Sequence, residues 1–136
     1  MSFNPRQERE REYYNAFAEG FNPDGEVDLE PILSLERKEY NPYWYAYHFA
    51  RDRFFSGAKL LDFGCGVGEN SIRFVHIGYV VYGFDIADKN IELAKILAKK
   101  HSFTDKMFFE QAAAEKLPYQ DAVSYTHLTL PTICSV

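Results

Sequence analysis

The chain has 136 residues, a formal net charge of −5 and 46% apolar side chains. That length suits one domain, and 12 Phe with 10 Tyr offer far more surface to bury than a disordered chain carries. No apolar run approaches the roughly 20 residues of a membrane-spanning helix, and the acidic balance gives a nucleic-acid phosphate track no support. Cys65 and Cys134 make neither a disulfide framework nor a metal-ligand spacing, and His48, His76, His101 and His127 share no ligand spacing either, so no metal site is expected. The start, Met1-Ser2-Phe3-Asn4-Pro5-Arg6, has no apolar signal core, so a cytoplasmic protein is expected.

In chain order, Pro5 to Gly20 reads as a polar helix, with Glu8, Glu10 and Glu12 among Arg6, Arg9 and Arg11 and with Gly20 as its stop. Phe21 to Pro31 reads as a loop, since Asn22-Pro23-Asp24-Gly25 is turn chemistry. Asn41 suits an N-cap and Pro42 a first helical position for a second helix reaching Ser56-Gly57, with aromatics nearly all round, as in a helix buried against something larger. Strand and helix then alternate. Lys59 to Phe63 is a short apolar strand, Glu69 to Ile77 a helix ended by Gly78, and Tyr79 to Phe84 a continuous apolar strand with Asp85 at its end. Asp88 is placed to cap a helix from Lys89 to about Lys100, and Lys106 to Glu110 is a third strand. Such alternation implies a parallel sheet with right-handed crossovers.

The informative segment is Leu60-Leu61-Asp62-Phe63-Gly64-Cys65-Gly66-Val67-Gly68-Glu69-Asn70. A strand ends, three glycines alternate, and a helix begins. Glycine lets backbone and ligand approach closely, and the helix presents free N–H groups to that ligand. A dinucleotide fingerprint needs G-x-G-x-x-G. Counted from Gly64, its third glycine falls on Glu69, a carboxylate where a pyrophosphate should sit, and Asp62 adds a second acid. Both departures tolerate a ligand that carries positive charge.

Asp62-Phe63-Gly64-Cys65-Gly66-Val67-Gly68 resembles motif I, (D/E)-x-G-x-G-x-G, of the class I S-adenosylmethionine-dependent methyltransferases. Tyr82-Gly83-Phe84-Asp85-Ile86, with Asp85 seventeen residues beyond Gly68, resembles the family's next motif. Glu110 to Tyr119 resembles the G-D-A-E-x-L-P-F stretch after strand 3, with Ala113 where many members carry Asp. The resemblance implies a Rossmann-like α/β methyltransferase fold, a parallel sheet with flanking helices, holding about three of seven strands, behind an N-terminal helical extension. It implies S-adenosyl-L-methionine as cofactor, S-adenosyl-L-homocysteine as product, and Asp62, Gly64, Gly66, Gly68, Asp85, Ile86 and Ala114 as cofactor-binding residues. In the family the acid at the end of strand 2 takes both ribose hydroxyls and the next residue covers adenine, roles that pass to Asp85 and Ile86. Two acceptor oxygens suit a vicinal diol. Without a ligand, the glycines would be a tight turn, Asp85 a capping or solvated acid, and Asp62 an acceptor for the glycine loop.

The expected division is 1–57 for the helical extension, 58–122 for a truncated cofactor-binding core and 123–136 for a non-native tail. Val123 to Val136 holds no charged side chain, and Val123 to Thr132 resembles translated sequencing-adapter read-through. The family's strand order, 3-2-1-4-5-7-6, puts Lys59 to Phe63 at the sheet centre and, with strand 4 missing, leaves it as a bare apolar edge. The reaction implied is methyl transfer to a small-molecule acceptor, with no catalytic base identified. The alternatives are an inactive fragment keeping part of the cofactor site and an NAD-type dinucleotide-binding domain.

Overall fold

The computed structural model describes residues 2–34, 42–113 and 128–129. The elements are α1 (Pro5–Ala18), α2 (Glu30–Leu33), α3 (Pro42–Asp52), β1 (Lys59–Phe63), α4 (Glu69–Ile77), β2 (Val80–Asp85), α5 (Asp88–Lys100), β3 (Met107–Gln111) and β4 (Leu128–Thr129). Asn4 opens α1 with a reciprocal cap: its side chain accepts the Gln7 N–H at 2.9 Å and its own N–H donates to Gln7 Oε1 at 2.9 Å. Pro5 follows at the first helical position, where no N–H is needed.

The strands form one parallel sheet in the order β3-β2-β1-β4. Lys59 pairs with Val80 and Phe63 with Phe84, while Val81 pairs with Met107 and Asp85 with Gln111. Three spatially adjacent strands therefore end together at Phe63, Asp85 and Gln111. On the other side of β1, Leu128 and Thr129 pair with Leu60 and Leu61. The edge expected to be bare is thus covered over two residues, because Leu128 and Thr129 are placed to complete the ladder.

Side-chain alternation splits the sheet between two cores. Leu60, Val81, Met107 and Phe109 face Tyr47 and Ala50 of α3, Ile72 and Phe74 of α4, and Ile91, Ala94 and Leu97 of α5. Leu61, Phe84 and Ala112 lie buried on the opposite face beside Phe63 and Tyr82. Fully burying a side chain such as Leu60 or Phe84 contributes about 1.5–3 kcal/mol.

The N-terminal helices are bolted to this unit by polar contacts. Tyr79 donates its buried hydroxyl to the Ala50 carbonyl at 2.6 Å, and Arg73 of α4 donates to the Asp28 carbonyl at 2.8 Å. Phe54 seats its ring on Gly78, where an added Cβ would stand 2.5 Å from Phe54 Cζ.

Several expected bounds shift. α2 lies where a loop was expected to run, and α3 ends at Asp52 rather than Ser56-Gly57. α3 buries Trp44, Ala46, Tyr47 and Ala50 but leaves Tyr45 63% exposed, so it has an outer face. Asn41 lies outside the described residues. Ala87, not Asp88, occupies the N-cap of α5, without a side-chain cap bond. The Asp88 carboxylate is instead engaged by Asn15 and Arg11 of α1. Among the described residues, no helix is long and apolar enough to cross a membrane.

Candidate cofactor site

The turn from β1 into α4 lies against the end of β2, and both parts of the sequence-predicted site meet there. Gly64, Gly66 and Gly68 all have positive φ, at +60°, +57° and +92°. The loop folds back on β2: Cys65 N–H donates to the Phe84 carbonyl at 3.0 Å, and Gly66 N–H donates to Asp85 Oδ2 at 3.0 Å. Gly68 N–H closes the turn on the Cys65 carbonyl at 3.1 Å, and the Gly68 carbonyl then accepts Ile72 N–H in the first turn of α4.

Two of these glycines serve different needs. An added Cβ at Gly66 would meet nothing within 4 Å, so the loop faces open space there. At Gly68 it would stand 3.2 Å from Ala94 Cβ and 3.5 Å from Phe109 Cζ. Gly66 thus leaves room for a ligand to approach the backbone, and Gly68 lets the loop pack against α5 and β3.

Asp85 is 8% exposed and clasped by its own turn. Oδ1 accepts the Ala87 N–H at 2.8 Å and Asn90 Nδ2 at 3.3 Å, and Oδ2 accepts the Gly66 N–H. Burial pushes the Asp85 carboxyl above its ordinary range, and these hydrogen bonds draw it back. Three of about four acceptor positions are filled, so Oδ2 retains about one for a ligand hydroxyl. Ile86 is half-buried beside it, its carbonyl accepting Gln111 Nε2 at 3.0 Å. The Asp85 carbonyl takes the Ala112 N–H at 3.0 Å, which joins the end of β3 to the same turn.

Asp62 lies one strand over, 8% exposed, and accepts the Ser71 hydroxyl at 2.6 Å. Burial raises its carboxyl to about 6; the Ser71 bond opposes that rise and the nearby Asp85 charge adds to it. The partner seen here is thus a side chain on α4. Ala114 lies outside the described residues, next to buried Ala113.

The sequence reading overlooked Ser71, Asn90 and a cluster at the start of α4. There the Tyr47 hydroxyl donates to Asn70 Oδ1, and Arg73 Nη1 reaches the Tyr47 hydroxyl at 3.0 Å and Asn70 Oδ1 at 3.1 Å. Burial pushes the Tyr47 phenol up to about 12, against the pull of Arg73. Ser71 and Asn90 did carry a signal: each is a polar residue on the apolar stripe of its helix. Glu69 begins α4 and lies 3.9 Å from Arg73.

A family model described as a methyltransferase domain matches residues 54–127, more than half of the chain. The chain belongs to the class I S-adenosylmethionine-dependent methyltransferase family. The methyltransferase match begins at the end of the helical segment and runs past Ala122. This methyltransferase-family chain is 44% identical over 68 residues to 27-O-demethylrifamycin SV methyltransferase of Amycolatopsis mediterranei, covering 49% of the chain and 25% of that relative. It is 36% identical over 104 residues to the ubiquinone biosynthesis O-methyltransferase of Bartonella bacilliformis, covering 74% of the chain and 41% of that relative. The chain therefore spans well under half the length of these curated methyltransferases. Among solved structures, geranyl diphosphate C-methyltransferase of Streptomyces coelicolor A3(2), a complex containing S-adenosyl-L-homocysteine, matches with a TM-score of 0.57 at 20% identity. That match covers 88% of this chain and 51% of the other, and it establishes the shared fold.

Proposed function

We propose that this chain carries the S-adenosylmethionine site of an enzyme that methylates a small molecule. One observation carries the reading: the glycine loop, open above Gly66, is hydrogen-bonded to Asp85, the acid that ends the adjacent strand. That juxtaposition sets bare backbone beside an oriented carboxylate acceptor. Asp85 accepts a ribose hydroxyl at Oδ2. Taking both hydroxyls requires sharing that oxygen or releasing the Gly66 N–H. Ile86 lies against the adenine, and Gly64 and Gly66 line the approach. Asp62 makes the surroundings negative, which suits a sulfonium and opposes a pyrophosphate, while the charge of Glu69 is offset by Arg73 3.9 Å away.

When bound, the cofactor supplies a methyl group already activated on sulfur. The protein's share of the work is then to hold donor and acceptor in line and to exclude water. The names of the two relatives, a 27-O-demethylrifamycin SV methyltransferase and a ubiquinone biosynthesis O-methyltransferase, support a small-molecule acceptor. The test is calorimetric titration of the chain with S-adenosyl-L-homocysteine and with NAD. Saturable heat is expected from the first alone, and heat from NAD alone overturns the reading.

A further inference from the structure

We propose that Asn15 is a positioning residue for the adenosine half of the cofactor, acting through the turn between β2 and α5. The inference rests on the cofactor reading above. Arg11 and Asn15 of α1 and Glu19 at its C-cap recur every four residues, so they lie along one face. That face meets two consecutive residues at the start of α5. Asn15 Nδ2 donates to Asp88 Oδ1 at 2.8 Å, and Asn15 Oδ1 accepts the Lys89 N–H at 3.1 Å. Arg11 Nη1 reaches the same Asp88 oxygen at 3.1 Å, and Glu19 pairs with Lys89 Nζ.

The first N–H groups of a helix need acceptors from outside it. Ala87, at the N-cap of α5, has no side-chain oxygen to offer. Asn15 meets that need from 74 residues away in the chain. The residues immediately before Asp88 are Asp85, Ile86 and Ala87, and the Ala87 N–H is itself a donor to Asp85 Oδ1. An unbroken path of hydrogen bonds and backbone thus runs from Asn15 to the carboxylate assigned to the ribose. Asp88 stays below the usual carboxylate range, first through Asn15 and then through Arg11, so it remains charged and engaged at neutral pH. Losing the cap frees the turn to shift, and Asp85 with it, although Asn15 touches no ligand.

The experiment titrates the full chain with S-adenosyl-L-homocysteine and with 5′-methylthioadenosine, which lacks the amino-acid part, and follows ligand-free amide exchange at Lys89. Asn15→Ala is expected to weaken both ligands by the same factor, about fivefold, as loss of a helix cap would. It is also expected to speed exchange of the Lys89 amide. Asn15→Asp combined with Asp88→Asn keeps the donor–acceptor pair and is expected to restore both readouts, a rescue that general loosening would not give. Glu19→Ala, which breaks only the outer ion pair, is expected to leave affinity within about twofold. Thermal midpoints of all variants confirm that each is folded. Unchanged affinity or Lys89 exchange in a folded Asn15→Ala, no rescue by the exchanged pair, or an equal loss in Glu19→Ala would overturn the assignment alone. No heat from the unsubstituted chain with either ligand would overturn the cofactor reading and this assignment together.

Discussion

Asp62→Asn is expected to change how stability depends on pH. Asp62 is buried at the sheet centre, and its carboxyl is raised from an ordinary 3.8 to about 6. That rise disfavours the charged form in the fold by about 3 kcal/mol. The sign follows from proton counting. Below about pH 4 the group is protonated in both folded and unfolded chains and contributes nothing. Between about 4 and 6 the unfolded chain releases its proton first, so stability falls as pH rises. Above about 6 the fold carries the full penalty of a buried charge. The substituted asparagine would be neutral throughout, and its side-chain oxygen still suits the Ser71 hydroxyl, which lies 2.6 Å from Asp62 Oδ2. Its amide N–H groups add a constant cost of about 1–3 kcal/mol if they find no acceptor. Urea unfolding of both proteins from pH 4 to pH 8 separates the two effects. The stability of the variant relative to wild type should improve by about 2–3 kcal/mol across that range. A difference that stays flat with pH would refute the reasoning, because it would mean Asp62 titrates in the fold as it does in the unfolded chain.

The two roles assigned within the glycine loop are separated by paired alanines. Gly66→Ala is expected to cost about 1–2 kcal/mol, the strain of a left-handed alanine, but to abolish S-adenosyl-L-homocysteine binding by filling the open side of the loop. Gly68→Ala adds overpacking on Ala94, about 1–3 kcal/mol more, so urea unfolding should rank Gly68→Ala below Gly66→Ala. The reverse order would contradict the separate roles assigned to them. Tyr79→Phe should cost about 1 kcal/mol through the lost bond to the Ala50 carbonyl. No measurable loss in thermal unfolding would show that this bond does not hold α3 to β2.

What was legible in the sequence was written locally. Lys59 to Phe63 coincides with β1, and Glu69 to Ile77 with α4, because an apolar run, a glycine turn and a terminal Gly78 fix those elements over a few residues. The family resemblance assigns Gly66 and Asp85 to one site, and the parallel β1–β2 ladder is what brings them into contact. Contacts made across the fold were not legible. Asp88 looks like a helix cap in sequence, and only the docking of α1 reveals that Asn15 supplies the Lys89 contact instead. Ser71 is an ordinary serine until the return of the chain through α4 brings its hydroxyl within 2.6 Å of Asp62 Oδ2. α2 eluded the reading because four residues carry no helical period. Leu128–Thr129 carry no strand signal in an uncharged stretch that contrasts with the rest of the chain, and a two-residue ladder needs only backbone beside Leu60 and Leu61.

The central claim is that the cofactor lies over the glycine loop and the end of β2. Amide exchange of the 136-residue chain with and without saturating S-adenosyl-L-homocysteine tests it most directly. Added protection is expected at residues 64–68 and 85–87, with little change on the outer face of α3 around Tyr45. Protection that leaves both of those segments unchanged would contradict it.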